Sequence, residues 1–258
     1  MKVVILAGGY GTRISEESHL RPKPMIEIGE KPILWHIQKY YSVFGFNDFI
    51  ICCGYKGYLI KEYFADYALH RSDITFDFTN GGNMTVHSNV AEPWKVTLVD
   101  TGLNVQTGGR IKRIASYIGD ERFMLTYGDG VSNVDLNALL KQHDESDKLV
   151  TLTAIQPGGR FGVLDIDGST VTAFKEKAVE AGGWINAGFM VAEPGLLDYI
   201  ENDDVVLERA PFESLSAERK LGVYKHDGYW ACMDTQRDKV ALEDAWENGS
   251  AKWKIWND

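Results

Sequence analysis

The chain has 258 residues, of which 44% are apolar, 12% aromatic and 25% charged, a globular composition and not a disordered one. Lys and Arg number 27 against 37 Asp and Glu, so the formal net charge is −10, which argues against nucleic acid or a membrane surface as a partner, both being polyanions. No apolar run approaches the ~18 residues of a membrane span, the N-terminus lacks a signal-peptide layout, and three cysteines are too few for a disulfide framework, so a soluble, cytoplasmic protein with free thiols is expected.

Strand-like and helix-like segments alternate through the first half. Residues 2–6 (KVVIL) form a β-branched run that ends at Gly8-Gly9. Apolar residues at 33, 37, 40, 41 and 44 follow Pro32 at helical spacing, with the proline suited to a first turn. Residues 49–53 predict a second buried strand, in which Cys52 and Cys53 point to opposite faces. Ile60, Tyr63, Phe64 and Tyr67 mark a second helix. Residues 96–99 and 123–126 read as strands, 136–143 as a short helix and 150–155 as a further strand.

The second half has a different rhythm. Residues 161–166 and 171–175 flank Asp167-Gly168-Ser169, a hairpin-like turn. Residues 184–191 predict one strand and 235–247 a closing helix. Continuous apolar strands alternating with helices imply a sheet covered on both faces. The expected fold is therefore α/β, a Rossmann-like mainly parallel sheet flanked by helices, with antiparallel additions in the C-terminal half. No linker, repeat or low-complexity tract divides residues 1–258, so one domain is expected. His36 is expected to be packed or at the surface, not catalytic, and Trp246, Trp253 and Trp256 to cover an apolar surface or a subunit contact.

The strongest local signal is Leu6-Ala7-Gly8-Gly9-Tyr10-Gly11-Thr12-Arg13, followed by Arg21-Pro22-Lys23-Pro24. A buried strand runs into a loop with three glycines, which lets backbone N–H groups approach a phosphate closely. Arg13 adds a planar fork of donors and Lys23 a compact charge. The order differs from that of a P-loop, and Ile14 breaks the dinucleotide fingerprint. Without the two cations, a plain structural turn would explain the glycines equally well.

Other candidates are more ambiguous on their own. Asp129, between Gly128 and Gly130 after residues 123–125, is a turn aspartate or a metal ligand at the carboxyl end of a strand. Asp234, before the closing helix, is an N-cap or a ligand; two such carboxylates could hold one Mg²⁺. Glu176 and Lys177 fit a solvated strand face, and Thr107-Gly108-Gly109-Arg110 fits a surface turn. Gly54-Tyr55-Lys56-Gly57 is a turn that could approach a nucleotide.

Gly8-Gly9-Tyr10-Gly11-Thr12-Arg13 with Arg21-Pro22-Lys23-Pro24-Met25 resembles the sugar-1-phosphate nucleotidylyltransferases. The resemblance spans nearly the whole chain. Further stretches look like the cytidylyltransferase branch: KPILWH (31–36), FIICCGYKG (49–57), EPWKVTLVDTG (92–102), TGGR (107–110), TYGDGV (126–131) and MDT (233–235). The resemblance implies that Leu6, Ala7, Gly8, Gly9, Gly11, Thr12, Arg13, Lys23, Thr107 and Arg110 bind the nucleotide. It implies that Arg13 and Lys23 are catalytic and that Asp129 and Asp234 bind Mg²⁺. On the sugar-phosphate side it implies Tyr127, Glu176, Lys177, Asn186 and Gly188, a packing role for Gly188 remaining open. Ala178 stands where the family usually has Pro. Residues 1–130 then serve mainly the nucleotide, and 131–258 the sugar phosphate and the closing helix.

The implied reaction joins CTP and α-D-glucose 1-phosphate into CDP-glucose and pyrophosphate, a product that feeds bacterial surface polysaccharide such as O-antigen. Positioning and charge neutralisation would carry it, with no general base. The net charge does not contradict anionic substrates, since Arg13, Arg21, Lys23, Arg110 and Lys177 could form a local positive site inside an acidic surface. The family also implies homo-oligomers, often hexamers. Competing readings are transfer from dTTP or UTP, a different phosphorylated sugar, a non-catalytic nucleotide-binding module, and an NAD-dependent oxidoreductase, the last disfavoured by the broken fingerprint.

Overall fold

The computed structural model describes residues 1–79, 81–156, 163–175 and 183–257. Among them, ten strands form the central sheet: β1 (Lys2–Ala7), β2 (Asp48–Cys53), β3 (Lys95–Asp100), β4 (Phe123–Tyr127), β5 (Val150–Ile155), β6 (Val163–Asp167), β7 (Thr170–Lys175), β8 (Ile185–Asn186), β9 (Met190–Ala192) and β10 (Leu221–Lys225). The order is β6-β7-β10-β5-β9-β4-β1-β2-β3, with β8 pairing β5. β1 lies between β2 and β4, parallel to both, and β3 continues the parallel set. β9 runs antiparallel to β4 and to β5, and the β6–β7 hairpin adds to the far side through β10. The long pairings are parallel, and the antiparallel additions come from the C-terminal half, as the sequence pattern implied.

Strand alternation divides the core into two layers. Val3, Ile5 and Ala7 of β1 join one hydrophobic cluster with Phe49, Ile51 and Cys53 of β2. Val4 and Leu6 join the other with Ile50 and Cys52. The adjacent cysteines thus face opposite sides of the sheet, as a period of two requires. Helices α1 (Ile33–Val43), α2 (Gly57–Ala65), α4 (Leu136–Asp144) and α6 (Gln236–Glu247) place buried residues in the first cluster; α3 (Thr107–Arg113) and α5 (Ala210–Ala217) place theirs in the second. Both faces of the sheet are covered, which is what strands apolar on both sides demand.

Two elements differ from the sequence pattern. The single strand expected over 184–191 is two, because Gly188 (φ 76°) and Phe189 (φ 46°) turn the chain in the left-handed region. The first piece pairs with β5 and the second with β4. A hairpin, Ser72–Asp77 with Asn83–Asn89, has no counterpart among the predicted elements. Its strands do alternate, Ile74 and Phe76 pairing with Val86 and Met84 on one face, but each is largely exposed and carries only two such apolar residues, a short signal beside the buried runs.

The C-terminal tryptophans close over α1. His36 is fully buried, with its ring 4.7 Å from Trp246 and near Trp253 and Trp256. Trp253 Nε1 donates to His36 Nδ1 (3.3 Å), so Nε2 carries the proton and donates to the Ile28 carbonyl (2.8 Å). Burial pushes the imidazole down to about 4. Below pH ~6.5 the unfolded chain therefore binds a proton that the folded one refuses. Stability contributed by this group is complete above pH ~6.5 and falls as pH drops towards 4, by about 2 kcal/mol at pH 5. Urea unfolding at pH 7 and pH 5 should show His36→Gln losing about 2 kcal/mol less than the wild type over that interval; equal losses would mean that His36 is not held neutral.

Candidate functional site

The carboxyl ends of β1, β2 and β4 meet at one edge of the sheet, where open α/β folds bind ligands. Two adjoining cavities open there. One, of about 530 Å³, is lined by Leu6, Ala7, Gly8, Gly9, Gly11, Thr12, Arg13, Lys23, Thr107 and Arg110, together with the 103–106 segment. All ten residues assigned to nucleotide binding thus meet in one chamber. The second, of about 480 Å³, is lined by Tyr127, Asn186, Ala187, Glu208, Arg209 and Trp230 among others. Arg13, Gln106, Tyr127, Asp129 and Asp234 line both.

Alternating charges occupy the junction. Arg13 Nη1 donates to Asp234 Oδ2 (2.6 Å), and Lys23 Nζ donates to Asp234 Oδ1 (2.6 Å) and to Asp129 Oδ2 (2.5 Å). The Lys23 side chain is only 12% exposed, whereas that of Arg13 is 72% exposed and reaches into open space. Burial alone would lower the Lys23 pKa, but the Asp129 carboxylate beside it raises it well above the usual lysine range. Burial likewise opposes ionisation of Asp234, and the Lys23 hydrogen bond holds its carboxyl below the usual range. Burial, with Asp129 adding to it, pushes the neighbouring Cys232 thiol far up.

Asp234 is not the N-cap of the closing helix. Thr235 is: its hydroxyl accepts from the Asp238 N–H, while the Asp238 carboxylate accepts from the Thr235 N–H (2.8 Å). This capping box frees Asp234 to turn towards Lys23. Asp129 sits just past β4, and the Met233 N–H donates to its carbonyl (2.9 Å) within the short ribbon that pairs Gly130–Ser132 with Trp230–Cys232. That ribbon brings two carboxylates from distant parts of the chain together.

Thr107-Gly108-Gly109-Arg110 is not a surface turn but the first turn of α3. Its glycines admit the backbone of Asp203 and Val205 against the helix. Arg110 is buried under the glycine loop. Its guanidinium donates to the carbonyls of Gly8 (3.0 Å), Cys53 (3.3 Å), Gly102 (2.8 Å) and Leu103 (3.4 Å) and to the Thr101 hydroxyl (2.8 Å). A Cβ on residue 8 would lie 2.1 Å from Arg110 Nη1, so the first glycine of the motif makes room for this strut. The Gly54 turn also touches the loop, through the Tyr55 N–H donating to the Gly8 carbonyl.

The nucleotidyl transferase family profile matches residues 2–258. The chain belongs to the nucleotidyl transferase family. This nucleotidyl transferase is 55% identical to a glucose-1-phosphate cytidylyltransferase of Salmonella typhi, over 99% of its own length and all of the relative's. It is 41% identical to a probable glucose-1-phosphate cytidylyltransferase of Bacillus subtilis over the same shares. Among solved structures it shares the fold of HddC from Yersinia pseudotuberculosis (TM-score 0.76, 23% identity, 95% of this chain and 99% of that one). It also shares that of a UDP-glucose pyrophosphorylase from Acinetobacter baumanii (TM-score 0.78, 14% identity, 98% and 95%).

Of the residues expected to contact the sugar phosphate, Tyr127 and Asn186 line the second chamber of this nucleotidyl transferase, Tyr127 the first as well. The Gly188 N–H donates to Asn186 Oδ1 (2.9 Å), so Gly188 orients Asn186 from behind. Glu176 and Lys177 lie outside the described residues, as does Ala178. Arg21 does not join the site: it pairs with Glu27 (2.6 Å) and points away from both cavities. Sequence reasoning missed Glu208, Trp230 and the 103–106 segment. None belongs to a motif, and only the tertiary fold brings them to the cavity walls.

The Arg110 strut has a measurable consequence. Arg110→Met removes the donors to several buried carbonyls, each costly to leave unpaired. The loss should be about 3 kcal/mol, a fall in Tm of roughly 8 °C for a chain of this size. An unchanged melting temperature would show that the loop holds its shape without Arg110.

Proposed function

We propose that this chain transfers CMP from CTP to α-D-glucose 1-phosphate, giving CDP-glucose and pyrophosphate. The observation that carries the proposal is the meeting of two chambers at Arg13, Asp129 and Asp234, beside Lys23. Two phosphorylated substrates, one in each chamber, would bring their phosphates together there. The named activity of the full-length relatives supports the choice of cytidine and glucose.

In this reaction a sugar-phosphate oxygen attacks the α-phosphorus in line, and the bond from that phosphorus to the bridging oxygen of pyrophosphate breaks. The attacking phosphate is already ionised, so no side chain must remove a proton. The glycine loop seats the triphosphate with its N–H groups. Exposed Arg13 neutralises charge on the departing pyrophosphate. Lys23 lies where charge develops on the α-phosphate, and its ammonium is held protonated by Asp129. Tyr127 and Asn186 contact the sugar. Positioning and preorganised charge supply the rate.

Asp129, Cys232 and Asp234 each offer a donor atom within 4.8 Å of the others. The two carboxylates already share one cation, the Lys23 ammonium, and their hard oxygens suit a small divalent ion. The thiol, kept neutral by burial, does not. Asp129 and Asp234 would therefore hold Mg²⁺, which when bound supplies charge neutralisation and Lewis acidity to phosphate oxygens.

A homo-oligomer is part of the same proposal. The hairpin formed by Ser72–Asp77 and Asn83–Asn89 exposes Phe76, Met84 and Val86, with Phe78 just beyond its first strand stacked on Phe76. Such a patch favours a protein contact. Free Cys52, Cys53 and Cys232 support a reducing, cytoplasmic setting.

Pyrophosphate release from CTP, UTP, dTTP and ATP, each with several sugar 1-phosphates, tests the reaction. Release is expected with CTP and glucose 1-phosphate, lost with chelator and restored by Mg²⁺. Lys23→Ala and Asp129→Asn should each lower kcat/KM by about 10²–10³ while circular dichroism stays native. Strong release with another pair would keep the chemistry and change the substrate; no release from a folded, nucleotide-binding protein would make it a binding module.

A further inference from the structure

Glu208 belongs to no sequence motif, yet it stands on the wall of the second chamber. It is half-buried, and its two carboxylate oxygens each accept a hydrogen bond from a hydroxyl on a different element. Tyr127 Oη, at the end of β4, donates to Oε1 (2.6 Å), and Thr107 Oγ1, at the start of α3, donates to Oε2 (2.7 Å). Both hydroxyls also accept: Asn186 Nδ2 donates to Tyr127 Oη (3.1 Å), and the Leu207 N–H donates to Thr107 Oγ1 (2.9 Å). The Gly188 N–H fixes Asn186 Oδ1, which leaves only the amide nitrogen to face Tyr127.

The directions of these bonds follow from counting protons. A hydroxyl has one proton and two lone pairs, and an ionised carboxylate only accepts. The Tyr127 O–H is therefore committed as a donor to Glu208, and one of its lone pairs accepts from Asn186. What Tyr127 has left for a ligand is a single acceptor site. The wall formed by Glu208 and Tyr127 thus offers acceptors, which suit the hydroxyls of a sugar and repel phosphate oxygens. Arg13, which also lines the first chamber, and Arg209, next to Glu208 in the chain, are the cations of this chamber and suit phosphate. Glu208 and Tyr127 supply the acceptors that suit sugar hydroxyls.

We propose that Glu208 is a positioning residue for the sugar phosphate. Acting through Tyr127, it seats the sugar with its hydroxyls on this wall and its phosphate towards Arg13 and the junction. This rests on reading the second chamber as the sugar-phosphate site. Thr107, whose hydroxyl is held by the other oxygen of the same carboxylate, lines the nucleotide chamber, so one carboxylate braces the partition from both sides.

The test is a double-mutant cycle on Glu208→Gln and Tyr127→Phe, followed by pyrophosphate release and by tryptophan fluorescence, for which Trp230 on the chamber wall reports binding without turnover. Each single variant should raise KM for glucose 1-phosphate about 10-fold, the effect of one hydrogen bond to a charged group. The double variant should be no more than about twofold worse than either, because both changes break the same chain. KM for CTP should move less than about threefold, and inorganic phosphate should bind as tightly as to the wild type. Losses that multiply to roughly 100-fold, a matching loss of phosphate binding, or unchanged sugar-phosphate binding would each overturn the proposal. Should Glu208→Gln fail to fold, Thr107→Val paired with Tyr127→Phe takes its place: this pair breaks different bonds to the carboxylate, so the sugar-phosphate loss should follow Tyr127→Phe alone, and an equal loss from Thr107→Val would overturn the assignment. A wild type that binds CTP but no sugar phosphate would sink the function and this inference together, whereas sugar-phosphate binding indifferent to Glu208 removes the inference alone.

Discussion

Four side chains of alternating charge, Arg13, Asp234, Lys23 and Asp129, form a chain of ion pairs where the two chambers meet. They come from the first loop, the end of β4 and the start of the C-terminal helix, segments more than 200 residues apart at the extremes. Hydrophobic burial holds each segment in its layer, but these ion pairs fix how the loop, the strand end and the C-terminal ribbon meet. Partly buried charges of this kind add little net stability, since desolvation offsets most of the attraction. Removing one, however, strands its partner in a poorly solvated place. In the proposed reaction the cost to the fold and the use would have the same origin: Lys23 and the two carboxylates are charges held ready in a poorly solvated place between the two chambers.

The frame of the fold was legible because its strands are apolar on both faces. Residues 3–6 and 49–53 are continuous apolar runs, residues 150–155 are β-branched or apolar throughout, and each is a buried strand of the sheet. The hairpin at Asp167-Gly168-Ser169 and the closing helix were legible from turn chemistry and helical spacing. What escaped lacks such signals. The Ser72–Asn89 hairpin is largely exposed and alternates over only two apolar residues per strand, Ile74 and Phe76 against Val86 and Met84, so its signal is short. The break at Gly188 interrupts a run whose side chains give no warning, since Ala187 and Phe189 are both buried.

The site was legible where a residue's local context is unusual. Three glycines and two cations after a buried strand pointed to a phosphate-binding loop, and that loop lines the larger chamber. Asp234 was ambiguous because an aspartate before a helix is a common cap, and only the adjacent Thr235 and Asp238 resolve it by capping the helix themselves. Glu208 could not be found from sequence at all. Its role depends on Tyr127 and Thr107, about 80 and 100 residues away, and a single glutamate carries no spacing.

Arg110 shows how an acidic chain can still draw in polyanions. At the junction, Arg13 and Lys23 are matched by Asp129 and Asp234, so that region is nearly neutral before substrate arrives. Arg110 is different. Among the described residues its guanidinium donates to four carbonyls and a threonine hydroxyl, and to no carboxylate. Its charge is satisfied in hydrogen bonds and only partly offset, through space, by Asp100. It lies beneath the glycine loop, on the wall of the chamber whose backbone N–H groups would receive a triphosphate. Water screens such a buried charge weakly compared with one at the surface. The loop therefore sits over a fixed positive charge that it cannot lose by side-chain motion, and a phosphate seated there would complete a pair that the protein itself leaves half made. A net charge of −10 spread over the surface does not abolish that local field.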